Sequence, residues 1–318
     1  MNIVVLDGNG VNPGDISWEP IAQYGNLKVY PRTSANDVLL HVGDAEIVLT
    51  NKTAFTAETI AKLSNVRYIG VLATGYNVVD LEIARKHGIV VTNIPAYSTD
   101  SVAQATFAHI LNVTNSIAHY ADDTRKGVWS SKQDFCYWDV PLVELAGKAI
   151  GIVGLGHIGR KVAQIAHSFG MHVQVCTSKS GNELPLYVKK MTMDELLSTS
   201  DIVTLHCPLV PETRELINAA TLSKMRKGAV LVNTGRGPLV NEPDVAFALR
   251  SGQLGAYCAD VMCAEPPSFD NPLLAEPHAY ITPHTAWASM EARTRLMHVA
   301  ELNIKSFLEG KPINVVNL

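Results

Sequence analysis

The sequence predicts an α/β protein built from two doubly wound parallel sheets, and three observations predict it. Short apolar runs alternate with helix-like segments through roughly the first ninety residues, which reads as repeated strand–helix units. A second alternating series starts at Ala149. At its head, Gly154-Leu155-Gly156-His157-Ile158-Gly159 follows an apolar run and opens a helical segment. Units of this kind place helices on both faces of a parallel sheet.

In the first series the apolar runs are 3–6, 27–30, 46–49, 68–72 and 89–91, with amphipathic pieces at 38–42, 57–63 and 79–87 between them. Thr56 and Asn77 stand where N-caps belong, and Gly88 ends the last helix. Residues 102–126 contain neither Pro nor Gly and predict one long helix, opened by a capping box at Ser101 and Gln104. Residues 128–145 are irregular and carry Trp129, Phe135, Tyr137 and Trp138, which suits a surface loop with buried aromatics, an oligomer contact or the edge of a site. The second series places strands at 150–153, 172–177, 202–205, 229–233, 256–259 and 279–282. Thr192 with Glu195, and Asn241 with Asp244, mark helix starts. A last amphipathic helix over 286–309 stops at Gly310-Lys311-Pro312.

Composition excludes several classes of function. Of 318 residues 47% are hydrophobic and 18% charged, and the net charge of −4 has no basic block, which argues against a nucleic-acid partner. The five cysteines form no C-x-x-C pair, so neither a metal site nor a disulfide framework is expected. No cleavable leader and no membrane-length apolar run are legible, and a cytoplasmic protein is the expectation.

The glycine motif is a phosphate site by construction. Gly154 suits a tight turn, Gly156 lets backbone approach a pyrophosphate, and Gly159 lets helix and strand pack closely. The helix start, at His157 and Ile158, then offers unpaired N–H groups and a positive dipole end. The residue ending the next strand faces the adenosine ribose, and an acid there would select NAD. That position is Thr177, followed by Ser178 and Lys179, a set better suited to the 2′-phosphate of NADP than a carboxylate would be. A solvated Lys179 with unselective NAD binding is the plainer alternative.

Three further segments carry polar residues just past apolar strands, where ligands sit in open α/β sheets. They are Asn233-Thr234-Gly235-Arg236-Gly237, Asp260-Val261-Met262-Cys263-Ala264-Glu265-Pro266-Pro267 and Thr282-Pro283-His284-Thr285-Ala286-Trp287. A guanidinium grips a carboxylate bidentately, and a histidine beside an acid moves protons near neutral pH. Singly, each residue has a structural reading; together at strand ends they point to catalysis.

This ordered set resembles the D-isomer-specific 2-hydroxyacid dehydrogenase family over nearly the whole chain. Ala73-Thr74-Gly75-Tyr76-Asn77 and Phe135-Cys136-Tyr137-Trp138-Asp139 are similar to its glycerate dehydrogenase (hydroxypyruvate reductase) branch. The resemblance implies a Rossmann-type cofactor domain over 99–285 and a flavodoxin-like substrate domain from 1–98 and 286–318. It implies that Arg236 holds the substrate and that His284 is the acid–base, with Glu265 orienting it. Asp260 would accept from the nicotinamide carboxamide. His206-Cys207-Pro208 would line the adenosine side, with Thr234 beside the cofactor. Thr74 and Gly75 would offer backbone N–H groups to the substrate carboxylate, and Asn51-Lys52 would reach the same pocket. It further implies NAD or NADP as cofactor, a small 2-keto or 2-hydroxy acid as substrate, and a homodimer. Thr177 departs from the usual NAD pattern. Reduction of glyoxylate, D-lactate chemistry, and a dinucleotide-sensing corepressor built on this fold remain open at this stage.

Overall fold

In the computed structural model, which describes residues 1–318, the chain divides into two units: Met1–Ser98 with Trp287–Leu318, and Thr99–Ala286. The first unit holds β1 (Asn2–Val5), β2 (Asn26–Val29), β3 (Ile47–Thr50), β4 (Tyr68–Val71) and β5 (Val90–Thr92). All pair in parallel, in the order β2-β1-β3-β4-β5, the flavodoxin-like order. Every residue of the inner strands β3 and β4 is buried, as a strand covered on both faces requires, while edge strand β2 is largely exposed.

Thr56 caps its helix as expected, accepting from the Thr59 N–H. Asn77 does not. The following helix starts at Leu81, and Asp80 takes the Ile83 N–H instead. The last helix spans Met290–Leu308, shorter at its start than the apolar pattern suggests, because Ser289 caps it through the Ala292 N–H. Leu296, Met297, Ala300 and Ile304 of this helix share one core with Ile3, Val5, Leu49 and Tyr68. The tail beyond it returns to the sheet, with Val315 bridging Thr92 antiparallel.

The second unit holds β6 (Ala149–Val153), β7 (His172–Cys176), β8 (Val188–Lys190), β9 (Ile202–Leu205), β10 (Ala229–Asn233), β11 (Leu254–Ala259) and β12 (Ala279–Ile281). Their order is β12-β11-β10-β9-β6-β7-β8, again all parallel, with the reversal between β6 and β9 that defines a Rossmann-type sheet. The capping box at Thr192 and the cap at Asn241 form as their spacing predicts.

Two helical expectations fail for identifiable reasons. The stretch expected as one helix is two, Thr99–Asn115 and Ile117–Arg125, broken where Ser116 turns left-handed at φ +50°. Beside the break, the Thr114 carbonyl accepts Val143 N–H from the aromatic segment rather than continuing the helical ladder. Ser101 is not a cap either, because the helix starts two residues earlier and the Ser101 hydroxyl donates to the Ala286 carbonyl at 2.6 Å. No helix is long and apolar enough to cross a membrane.

Candidate active site

β6 turns into the twelve-residue helix His157–Ser168 through the glycines. Gly154 has φ +92°, and a Cβ there would lie 2.6 Å from the Cys207 nitrogen. A Cβ on Gly156 would meet nothing within 4 Å, so this flank is open to a ligand. A Cβ on Gly159 would lie 2.2 Å from the Gly154 oxygen, so helix and turn touch. Tight turn, open approach and close packing are thus divided among the three glycines, as a pyrophosphate cradle needs. Gly159→Ala is expected to cost about 1–3 kcal/mol of stability through overpacking and to weaken dinucleotide binding. Thermal unfolding and a dinucleotide titration check this; wild-type behaviour in both would show the contact to be soft.

A groove of about 340 Å³ lies at this turn, bounded by Gly154 and Gly156, by Cys176 to Lys179 at the end of β7, and by His206 to Pro208 past β9. Most of the residues expected at the cofactor therefore meet around one space. Its floor is uncharged: burial pushes the His206 imidazole down to about 4 and raises the Cys176 and Cys207 thiols. Positive potential comes from the helix start and Lys179. Five expected residues stand apart from the groove lining, Gly159 among them because it packs against the turn. The His157 side chain lines a separate depression with Arg160 and Lys161, and Ile158 packs into the core. Thr234 is buried, its hydroxyl paired with Thr106 Oγ1 at 3.0 Å. Asp260, also buried, spends its carboxylate on Thr282 Oγ1 at 2.6 Å and on the N–H groups of Thr285 and Ala286, each at 2.8 Å.

The chemical residues lie past three adjacent strands whose last residues, Asn233, Ala259 and Ile281, are in register. His284 Nδ1 meets Glu265 Oε2 at 2.6 Å, and Glu265 Oε1 accepts the Met262 N–H at 3.0 Å. With Nδ1 engaged, Nε2 is the ring nitrogen left for chemistry. His284 itself is left-handed, at φ +54°, with its N–H on the Thr282 carbonyl. Arg236 is exposed, and its guanidinium donates to the Gly235 carbonyl at 2.8 Å without a carboxylate partner. The loop bearing Arg236 abuts the loop bearing Glu265, because a Cβ on Gly237 would fall 2.0 Å from the Met262 carbonyl. Burial and the neighbouring Glu242 carboxylate push the Cys263 thiol up to about 12, so it offers no thiolate here.

Residues 107–286 match the NAD binding domain of the D-isomer specific 2-hydroxyacid dehydrogenases. The chain belongs to that family. Among its relatives, hydroxypyruvate reductase of Blautia hydrogenotrophica is 46% identical over 324 residues, covering 100% of both chains. Glycerate dehydrogenase of Methylorubrum extorquens is 36% identical over 91% of each chain. D-lactate dehydrogenase of Aquifex aeolicus, solved with NAD and lactic acid, superposes with a TM-score of 0.86 at 27% identity, covering 100% of this chain and 99% of that one. The protein is therefore a 2-hydroxyacid dehydrogenase that uses a nicotinamide cofactor.

In this dehydrogenase the first unit gathers its expected residues at the C-terminal edge of its own sheet. Asn51 follows β3, is buried, and donates to the Leu72 carbonyl past β4 at 2.6 Å. Thr74 is exposed and donates to the Ile94 carbonyl at 2.9 Å, next to Gly75. Two carboxylates that hold these loops were not singled out from the sequence. Asp7, just past β1, accepts the N–H groups of Asn51, Lys52 and Thr53. Glu242, buried, accepts Cys263 N–H and Asn271 Nδ2, both at 2.7 Å, and so pins the loop carrying Glu265. An acid directly after an apolar strand was the available signal for Asp7; Glu242 had none beyond its place in a helical first turn.

Proposed function

We propose that the protein is a hydroxypyruvate reductase (glycerate dehydrogenase) that accepts NADPH at least as well as NADH. The observation that carries the proposal is the 2.6 Å contact between His284 and Glu265, set past strands in register with the one that precedes Arg236. The 46% identity to a hydroxypyruvate reductase across the whole chain supports the substrate, and Thr177-Ser178-Lys179 supports the cofactor preference.

When bound, the reduced nicotinamide supplies a hydride to C2 of the keto acid. Gly154, Gly156 and Gly159 with the N–H groups of His157 and Ile158 would hold its pyrophosphate; Thr177 to Lys179 and His206 to Pro208 would hold the adenosine end. Asp260, with three acceptor positions used of about four, keeps one for the carboxamide, and Thr234 packs beneath. Arg236 grips the carboxylate and polarises the carbonyl, fixing its orientation. Charged His284 gives a proton from Nε2 to the carbonyl oxygen, while Glu265 holds the tautomer and stabilises the imidazolium. In the oxidative direction neutral His284 takes that proton back. Asn51, Lys52, Thr74 and Gly75 are the first unit's proposed substrate-binding residues. A homodimer through the helices around Ser116 and the segment bearing exposed Trp129, Phe135 and Trp138 completes the proposal.

One matrix tests it: hydroxypyruvate, glyoxylate, pyruvate and phosphohydroxypyruvate against NADH and NADPH, read by nicotinamide absorbance. Hydroxypyruvate with NADPH is expected to give the highest kcat/KM. A strong preference for NADH would refute the cofactor assignment, and absence of turnover on all four acids would favour a dinucleotide-sensing role.

A further inference from the structure

The turn past β7 carries a second cation that does not belong to the motif. β8 is the edge strand beside β7, with Val175 paired to Lys190. Lys190 is its last residue, and its ammonium reaches along the sheet edge to donate to the carbonyl of Lys179. It also stands near enough to the Cys176 thiol to act on it electrostatically. Lys190 has no carboxylate partner, and an ammonium with three donors keeps two after this bond. The neighbouring acid, Glu183, is folded back on Ser180, accepting its N–H and hydroxyl at 2.9 Å each. Lys179 N–H in turn rests on Thr177 Oγ1 at 3.3 Å, so hydroxyl, backbone and both lysines form one hydrogen-bonded turn.

We infer that Lys190 is a specificity-determining residue, which with Lys179 forms a two-cation clamp for the 2′-phosphate of NADP(H). The inference rests on the cofactor reading above and adds to it a residue thirteen positions past the end-of-strand position, supplied by a different strand. A phosphate monoester dianion wants both donors and positive charge, and one lysine on a flexible stem supplies few of either. Lys190 meets the need because its ammonium is anchored to the very turn that faces the adenosine ribose. A lysine that merely protects a sheet edge from pairing would have no reason to discriminate between nucleotides.

The test compares binding of 2′,5′-ADP and 5′-ADP to the intact protein by calorimetry, in wild type, Lys190→Met, Lys190→Arg and Lys179→Met. Wild type is expected to favour 2′,5′-ADP. Lys190→Met should lose about tenfold in affinity for 2′,5′-ADP, the size of one charge-assisted contact, with 5′-ADP unchanged and Lys190→Arg close to wild type. Equal loss for both probes, or no loss for either, would overturn the inference and leave Thr177 to Lys179 as the selecting group. Equal binding of the two probes by wild type would overturn the cofactor reading and this inference with it. Lys190 is exposed, so the variants are expected to fold, and a melting curve confirms it.

Discussion

His284→Ala should lower kcat by roughly 10²–10⁴-fold, the usual worth of a placed general acid, and leave dinucleotide binding intact. The two halves of that expectation come from different strands. The imidazole stands past β12, its Nδ1 on Glu265, whereas the glycine turn and the groove are built past β6, β7 and β9. On the proposed roles, removing the ring deletes the proton donor without touching the glycine turn. Stopped-flow turnover with hydroxypyruvate, beside a fluorescence titration of the reduced cofactor, separates the two. Wild-type turnover in the variant would take His284 out of the mechanism.

Arg236→Ala should damage substrate affinity and rate together, with kcat/KM falling by about 10³-fold or more, since in the proposed role one group both anchors the acid and stabilises charge developing on the carbonyl oxygen. The guanidinium is suited to this because it is exposed and has no carboxylate of the chain to satisfy. Arg236→Lys should recover only part of the loss, as a point charge cannot reproduce the planar two-donor fork. Steady-state kinetics on all three proteins, with a cofactor titration alongside, provide the check. A variant that loses cofactor binding alone would contradict the assigned role.

Much of the fold was legible in the sequence. Apolar runs bounded by caps and glycines located all five strands of the first sheet to within a residue or two, because a parallel strand buried on both faces has little freedom in composition. The candidate histidine, glutamate and arginine are singled out by their place after apolar runs, and the structure sets each past a strand end. What stayed hidden depends on contacts distant in sequence. β8 is three residues long, with two exposed lysines, and has the composition of a loop; only its pairing with β7 makes it a strand. The break at Ser116 depends on Val143 arriving from elsewhere in the chain to claim the Thr114 carbonyl. Ser101 looked like a cap because its spacing to Gln104 was right, yet the Ala286 carbonyl took its hydroxyl. Asp7 likewise shows its purpose only once the loop of Asn51 to Thr53 closes around it.

The buried carboxylate of Asp260 has one more implication. It leaves the end of an inner strand and seizes the backbone on the far side of the histidine, at residues 285 and 286, as well as the threonine before it. An unfavourable left-handed residue is thereby bracketed by anchors that belong to the sheet. The proposed proton donor thus sits between two stretches of backbone and side chain tied to one carboxylate at the end of a strand.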